Sequence, residues 1–96
     1  MGKYEEHLRK TIAIAADSFI AAREYGITHN KNEPRMNHYM NAKLRFIKHA
    51  LKEYAEESTN MSEFCKKIIK SIEDNDNIYS DELLKSMYLV KQAANW

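Results

Sequence analysis

The sequence has little of what a β-fold, a disulfide-stabilised domain or a membrane-spanning chain requires. It contains two glycines and one proline in 96 residues, too few for the tight turns of a sandwich or a barrel. Cys65 is the only cysteine, so no disulfide can form within the chain, and a reducing compartment suits it. No uncharged run, residues 11–16 among them, approaches the length of a bilayer span. We therefore expect a cytoplasmic, all-α protein that does not enter a membrane.

Two long helices are predicted from apolar residues at spacings of three and four. The first covers residues 3–25, and Gly26 suits the left-handed residue that ends many helices. Its inward stripe is Tyr4, Leu8, Ile12, Ala15, Phe19 and Ala22. The second covers residues 34–57 and begins at Pro34, which the first turn of a helix tolerates. Its inward stripe is Met36, Met40, Leu44, Ile47, Leu51 and Tyr54.

Two shorter helices are predicted at about 61–73 and 80–94. Asn60 and Glu63 resemble a capping box before the third helix, and Ser80 is the expected cap of the fourth. Their inward residues are Phe64, Cys65, Ile68, Ile72, Leu83, Leu84, Met87, Val90 and Ala94. We expect a single domain, residues 1–96, in which a long helical hairpin packs with a shorter one as a four-helix bundle. About two turns of the long hairpin, near 10 Å, then need cover from the termini or from a second copy.

Each long helix also carries a second apolar set. Ile14, Ala21 and Tyr25 group on one side of the first helix, and Tyr39 and Phe46 group with Ala50 on the second. These residues either belong to a wide core or form an interface, because a small domain has few elements with which to cover helices on two sides. We favour an interface, with self-association as one form of it. The predicted interface residues are Ile14, Ala21, Tyr25, Tyr39, Phe46 and Trp96. For Trp96 burial at the end of the long hairpin is the other interpretation, and the one that we favour for this residue.

The polar side of the second helix is predicted to be basic. Residues 1–52 hold ten Lys and Arg against five Asp and Glu, whereas residues 53–96 hold five against nine. This asymmetry marks either a polar partner surface or two halves that pack together. Cations on one helix face could contact phosphates of nucleic acid or of a nucleotide, although the near-neutral net charge of +1 disfavours a nucleic-acid domain. The candidate phosphate contacts are His38, Arg45, Lys48, His49 and Lys52.

Catalytic, metal and cofactor sites are not expected. The four histidines have neither the i,i+4 spacing of a helical zinc site nor a cysteine pair nearby, and no phosphate-binding glycine loop or nucleophile elbow occurs. Cys65 on an apolar stripe is typical of an inert core thiol. We therefore expect a non-enzymatic interaction protein that binds and modulates another macromolecule, most simply another protein. Its size and its Lys-, Asn- and Ile-rich composition are typical of phage or mobile-element inhibitors of host proteins. The alternative is a phosphate-ligand module.

Overall fold

Four α-helices make up most of the computed structural model, which describes residues 2–96. They are α1 (Lys3–Thr28), α2 (Pro34–Glu57), α3 (Ser62–Asp74) and α4 (Asp81–Lys91). Short 3-10 segments lie before α3, at Thr59–Met61, and after α4, at Gln92–Asn95. Within residues 2–96 there is no strand. The predicted all-α bundle, with a long hairpin against a shorter one, is confirmed.

The core lies where the two hairpins meet. Helix α1 packs on α2 and α4, and α2 packs on α3. The largest fully buried side chains are Ile12, Phe19, Met40, Ile47, Leu51, Cys65, Leu83, Met87 and Val90, all from the predicted inward stripes. Tyr4 is an exception: its side chain is 51% exposed, and its hydroxyl donates a hydrogen bond to Glu53. The prediction that Tyr4 faces inward was wrong, because a tyrosine in the first turn can leave its ring at the surface while its hydroxyl reaches a partner.

Gly26 does not end α1, contrary to the sequence prediction. The helix continues to Thr28, and no glycine within residues 2–96 has a positive φ. The left-handed residues are Asn30 and Lys31, with φ of 59° and 62°. The backbone N–H of Lys31 donates to the carbonyl of Gly26 at 2.7 Å, which satisfies an acceptor at the end of the helix. Asparagine tolerates the left-handed conformation, so Asn30 in the polar loop lets the helix end without a glycine.

The ends of the short helices differ from prediction in two places. The Asn60–Glu63 capping box is absent, since residues 59–61 form a 3-10 turn and α3 has no side-chain cap. Ser80 does cap α4, accepting a hydrogen bond from the Leu83 N–H at 3.3 Å. After Lys91 the chain tightens to three residues per turn, so the residue that follows Val90 inward is Ala93 and not Ala94. Ala94 is exposed.

Each end of the long hairpin is covered by a different segment. Tyr79, in the α3–α4 loop, packs beside Gly26, and its hydroxyl donates to the Asn37 side chain at 2.7 Å. At the other end, the Trp96 ring lies 5.5 Å from the ring of Tyr54 and 5.3 Å from that of Phe64. The two turns of the long hairpin that were expected to need cover are therefore covered by segments of the same chain. The broad outer face of the long hairpin is not covered by them.

Candidate protein-binding surface

The two long helices present an exposed apolar surface on the side of the hairpin away from the core. We call it the hairpin face; its predicted members are Ile14, Ala21, Tyr25, Tyr39 and Phe46. Ile14 is 67% exposed, and the three aromatic side chains are 41–45% exposed. Ala21 is also exposed, whereas Ala50, grouped with them in the sequence, is buried. The wide-core alternative therefore fails for these five residues and holds for Ala50.

A groove of about 730 Å³ lies at one end of the hairpin face. Its lining consists of Ser18, Ala21, Ala22, Tyr25, Glu33, Arg35, Met36 and Tyr39. Small side chains on α1 leave space between the two helices, and the tyrosines border that space. A concave surface of this kind, apolar with a few polar groups, is the usual form of a site that receives a side chain or a small helix segment. Sequence reasoning missed Arg35, although its position four residues before Tyr39 places it on the same side of α2.

The aromatic groups of the hairpin face are held by neighbouring polar side chains. The Lys43 ammonium lies 5.4 Å from the ring centre of Tyr39 and 5.9 Å from that of Phe46, so one cation contacts both rings. The imidazole of His29 stacks on Tyr25 with centres 4.0 Å apart. These contacts restrict the rings before any partner binds, which lowers the entropy that binding must remove.

The groove continues along the hairpin as one surface. Ala21 and Tyr39 line it together, and seven residues, close to two helical turns, separate Ala21 from Ile14 and Tyr39 from Phe46. Because α1 and α2 run antiparallel, Ile14 and Phe46 lie level with each other. At the far end Tyr4 contacts Glu53, which lies within three residues of that register. The five predicted residues are thus brought together by the hairpin.

Trp96 lies apart from the other predicted interface residues. Its backbone carbonyl accepts a hydrogen bond from the Arg9 guanidinium, and its ring packs edge-on to Phe64. Tyr25 is sixteen residues further along α1 than Arg9, a separation of about 24 Å along the helix. Trp96 is therefore partly buried at the end of the hairpin opposite Tyr25, which agrees with the burial considered for it from the sequence.

The basic residues of α2 lie on its other side, next to α3. The Lys48 ammonium is 3.6 Å from the Glu73 carboxylate, and His49 is 3.0 Å from Glu53. Arg45 and Lys48 border a cleft of about 150 Å³ that also includes Asp76. The exposed candidates are His38, Arg45, His49 and Lys52, and Lys48 is partly buried. The acidic half of the chain thus supplies carboxylates beside the basic face.

Two ion pairs join cations of the basic half, residues 1–52, to carboxylates of the acidic half, residues 53–96. They are Lys48 with Glu73 and Arg23 with Asp81, the latter at 3.2 Å, whereas the pair of Lys91 with Asp17, also at 3.2 Å, has the opposite sense. Opposite charges of the two halves therefore face each other in the folded chain.

The remaining chemical groups offer few reactive centres. Cys65 is fully buried, and desolvation raises the pKa of its thiol to about 11, so it stays protonated at neutral pH. Within residues 2–96, no three His, Cys, Asp or Glu side chains cluster as metal ligands would. None of the helices described in that range is both long and apolar enough to cross a membrane. No known protein family, curated protein or solved structure matches this chain.

Proposed function

We propose that this chain is a small, non-enzymatic interaction protein that binds another protein through the hairpin face and thereby alters its activity. The observation that carries the proposal is the exposure of four large apolar side chains on the two long helices: Ile14, Tyr25, Tyr39 and Phe46. Exposed aromatic residues around a groove are typical of protein-binding surfaces, whose centres are rich in Tyr, Phe, Met and Arg. Inhibition of a host protein, as by phage or mobile-element products, is one form that this function would take.

A phosphate-binding function of the basic face is the alternative proposal. It has less support, because Glu73 and Asp76 stand beside Lys48 and would repel an anionic ligand. This alternative expects that replacing Arg45, Lys48 and Lys52 by Glu removes binding to a labelled oligonucleotide, and that the binding weakens steeply with salt. The hairpin-face proposal expects the same triple variant to keep its protein partner.

The proposal is tested by capturing partners with a tagged chain expressed in the cells that encode it. The test variant is the double substitution Ile14→Glu and Tyr39→Glu, and the matched control is Leu89→Glu. Leu89 is 49% exposed on α4, so it carries the same chemical change at an apolar position outside the hairpin face. A protein captured by the wild type and by the control, but lost with the double variant, is then purified and its affinity for each form is measured.

The expected result is at least a hundredfold weaker binding of the double variant, about 2.8 kcal/mol at 1.4 kcal/mol per factor of ten. The activity of the purified partner, measured with and without the chain, shows whether binding alters it. Equal capture of one partner by all three forms would overturn the use of the hairpin face. Helical circular dichroism of each form verifies that the substitutions leave the fold intact.

A further inference from the structure

We infer that the hairpin face of the free chain pairs with the same face of a second copy, antiparallel, about a two-fold axis at Phe46. The inference rests on the proposed function, since it uses the same surface, and it adds that self-pairing and binding of another protein compete for it. The observation that points to a second copy is a symmetric spacing of complementary side chains along α2.

The outward side of α2 carries five residues placed symmetrically about Phe46. Arg35 and Glu57 lie eleven residues before and after it, and Tyr39 and Glu53 lie seven residues before and after it. At 100° per residue, all five fall within about 40° of one another on the helix. A two-fold axis through Phe46 would therefore set Arg35 against the partner's Glu57 and Tyr39 against the partner's Glu53.

The chemistry of these pairs is complementary in the antiparallel arrangement. Arg35 and Glu57 are exposed, and neither forms an ion pair within residues 2–96. Both oxygens of Glu53 already have partners in the monomer, the hydroxyl of Tyr4 and the imidazole of His49, so the charge complementarity rests on Arg35 and Glu57. A parallel pairing would instead bring Arg35 against Arg35 and Glu57 against Glu57.

The other long helix, α1, adds an apolar residue beside the proposed axis. Ile14 lies level with Phe46, so both apolar side chains lie beside the axis and the charged groups lie at the ends. This is the usual composition of an interface, with an apolar centre and a polar rim. An isologous contact of this kind closes on itself and stops at two copies.

The available area is sufficient for a specific dimer. A hairpin of 24-residue helices is about 36 Å long, and two helices packed about 10 Å apart present a strip about 18 Å wide. The strip offers on the order of 650 Å² per copy, close to the roughly 800 Å² per partner of a standard interface. The molecule itself measures 43 × 23 × 17 Å, so a strip of this length and width fits within its longest two dimensions.

Mass in solution tests the pairing. Light scattering and sedimentation over a range of concentrations should give twice the chain mass for the wild type. Phe46→Glu should be monomeric, with a dissociation constant raised at least about a hundredfold. Arg35→Glu and Glu57→Arg should each raise the dissociation constant about tenfold or more, and the double variant that exchanges the two charges should recover most of the loss. Arg45→Glu, the same change on the other side of α2, is the matched control and should leave the dimer intact.

Disulfide trapping tests the antiparallel register. An equimolar mixture of Arg35→Cys and Glu57→Cys chains should form a mixed disulfide dimer under mild oxidation, and Phe46→Cys alone should form a symmetric one. Cys65 is buried and does not compete. Arg35→Cys alone should stay uncrosslinked. Efficient crosslinking of Arg35→Cys to itself would overturn the antiparallel arrangement.

The two proposals fail in different ways. A chain that is monomeric up to high concentration, or a dimer insensitive to Phe46→Glu and to charge exchange, would overturn self-pairing. Neither result changes the capture of another protein by the hairpin face, which is measured with the Ile14 and Tyr39 substitutions. A dimer with the expected sensitivities, together with unchanged partner capture by those substitutions, would overturn the proposed function and leave self-pairing standing.

Discussion

Tyr79 occupies the space beside Gly26 that the side chain of any other residue would need. A Cβ added to Gly26 would lie 2.9 Å from Cζ of Tyr79 and nearer still to its hydroxyl oxygen. The same hydroxyl donates to Asn37 on α2, and the Lys31 ammonium lies 5.4 Å from the ring centre. One loop residue therefore joins the α3–α4 loop to both helices of the long hairpin, and glycine in α1 makes the contact possible.

Gly26→Ala should lower the free energy of unfolding although alanine is the better helix former. Helix propensity favours the change by about 1 kcal/mol, but overpacking against Tyr79 costs about 1–3 kcal/mol. We expect a net loss of up to about 2 kcal/mol in urea denaturation. In a Tyr79→Ala background the clash is gone, so the same substitution should become neutral or stabilising. An equal loss in both backgrounds would show that Tyr79 does not constrain Gly26.

Arg23→Met should destabilise the protein far more than Asp81→Asn. The buried Arg23 guanidinium donates to the carbonyl of Tyr79 at 3.0 Å and to the Asp81 carboxylate at 3.2 Å, but the Asp81 side chain is 93% exposed. We expect a loss of about 2 kcal/mol for Arg23→Met, since a buried carbonyl loses a charged donor. Asp81→Asn should cost about 0.5 kcal/mol, as for an exposed ion pair. Thermal unfolding of the two variants measures both losses. Equal losses of stability would contradict the assignment of the larger effect to the hydrogen bond between Arg23 and the Tyr79 carbonyl.

Trp96→Ala should destabilise the bundle and leave the hairpin face intact. The indole packs on Tyr54 and Phe64, and its loss removes two aromatic contacts of about 0.5–1.5 kcal/mol each as well as buried apolar area. We expect the free energy of unfolding to fall by about 2 kcal/mol, with Asn95→Ala, an exposed neighbour, close to wild type. Loss of partner capture by a Trp96→Ala chain that is still folded would instead place Trp96 in the interface.

Cys65 should be inert in the folded protein and reactive once it unfolds. The thiol is fully buried, and its pKa is raised from 9.0 to about 11. We expect no reaction with a thiol reagent at pH 8 in buffer and complete reaction in denaturant. Because the folded pKa is the higher one, this thiol favours folding below about pH 9 and that contribution declines as the pH rises towards 11. Rapid labelling of the native protein at pH 8 would contradict burial.

Much of the candidate site could be predicted from helical spacing. Ile14, Ala21 and Tyr25 fall outside the main stripe of α1, so they were expected to form a separate surface, and the exposure of all three agrees with that expectation. The same reasoning grouped Ala50 with Tyr39 and Phe46, but Ala50 is buried. Periodicity gives the direction in which a side chain leaves its helix. It does not give the distance to the neighbouring helix, which decides the burial of a small residue at the border of a stripe.

The sequence by itself determined the fold class and the helix positions, because apolar stripes with a period near 3.6 can be buried only as helices packed together. Only the tertiary structure showed why residue 26 is a glycine. The ring of Tyr79, from a loop 53 positions later in the chain, occupies the space that a side chain at Gly26 would need. The tertiary structure also decided that Trp96 covers one end of the hairpin and that Lys48 faces Glu73. Contacts between segments distant in the chain depend on how whole helices pack. The spacing of apolar residues within one helix does not predict them.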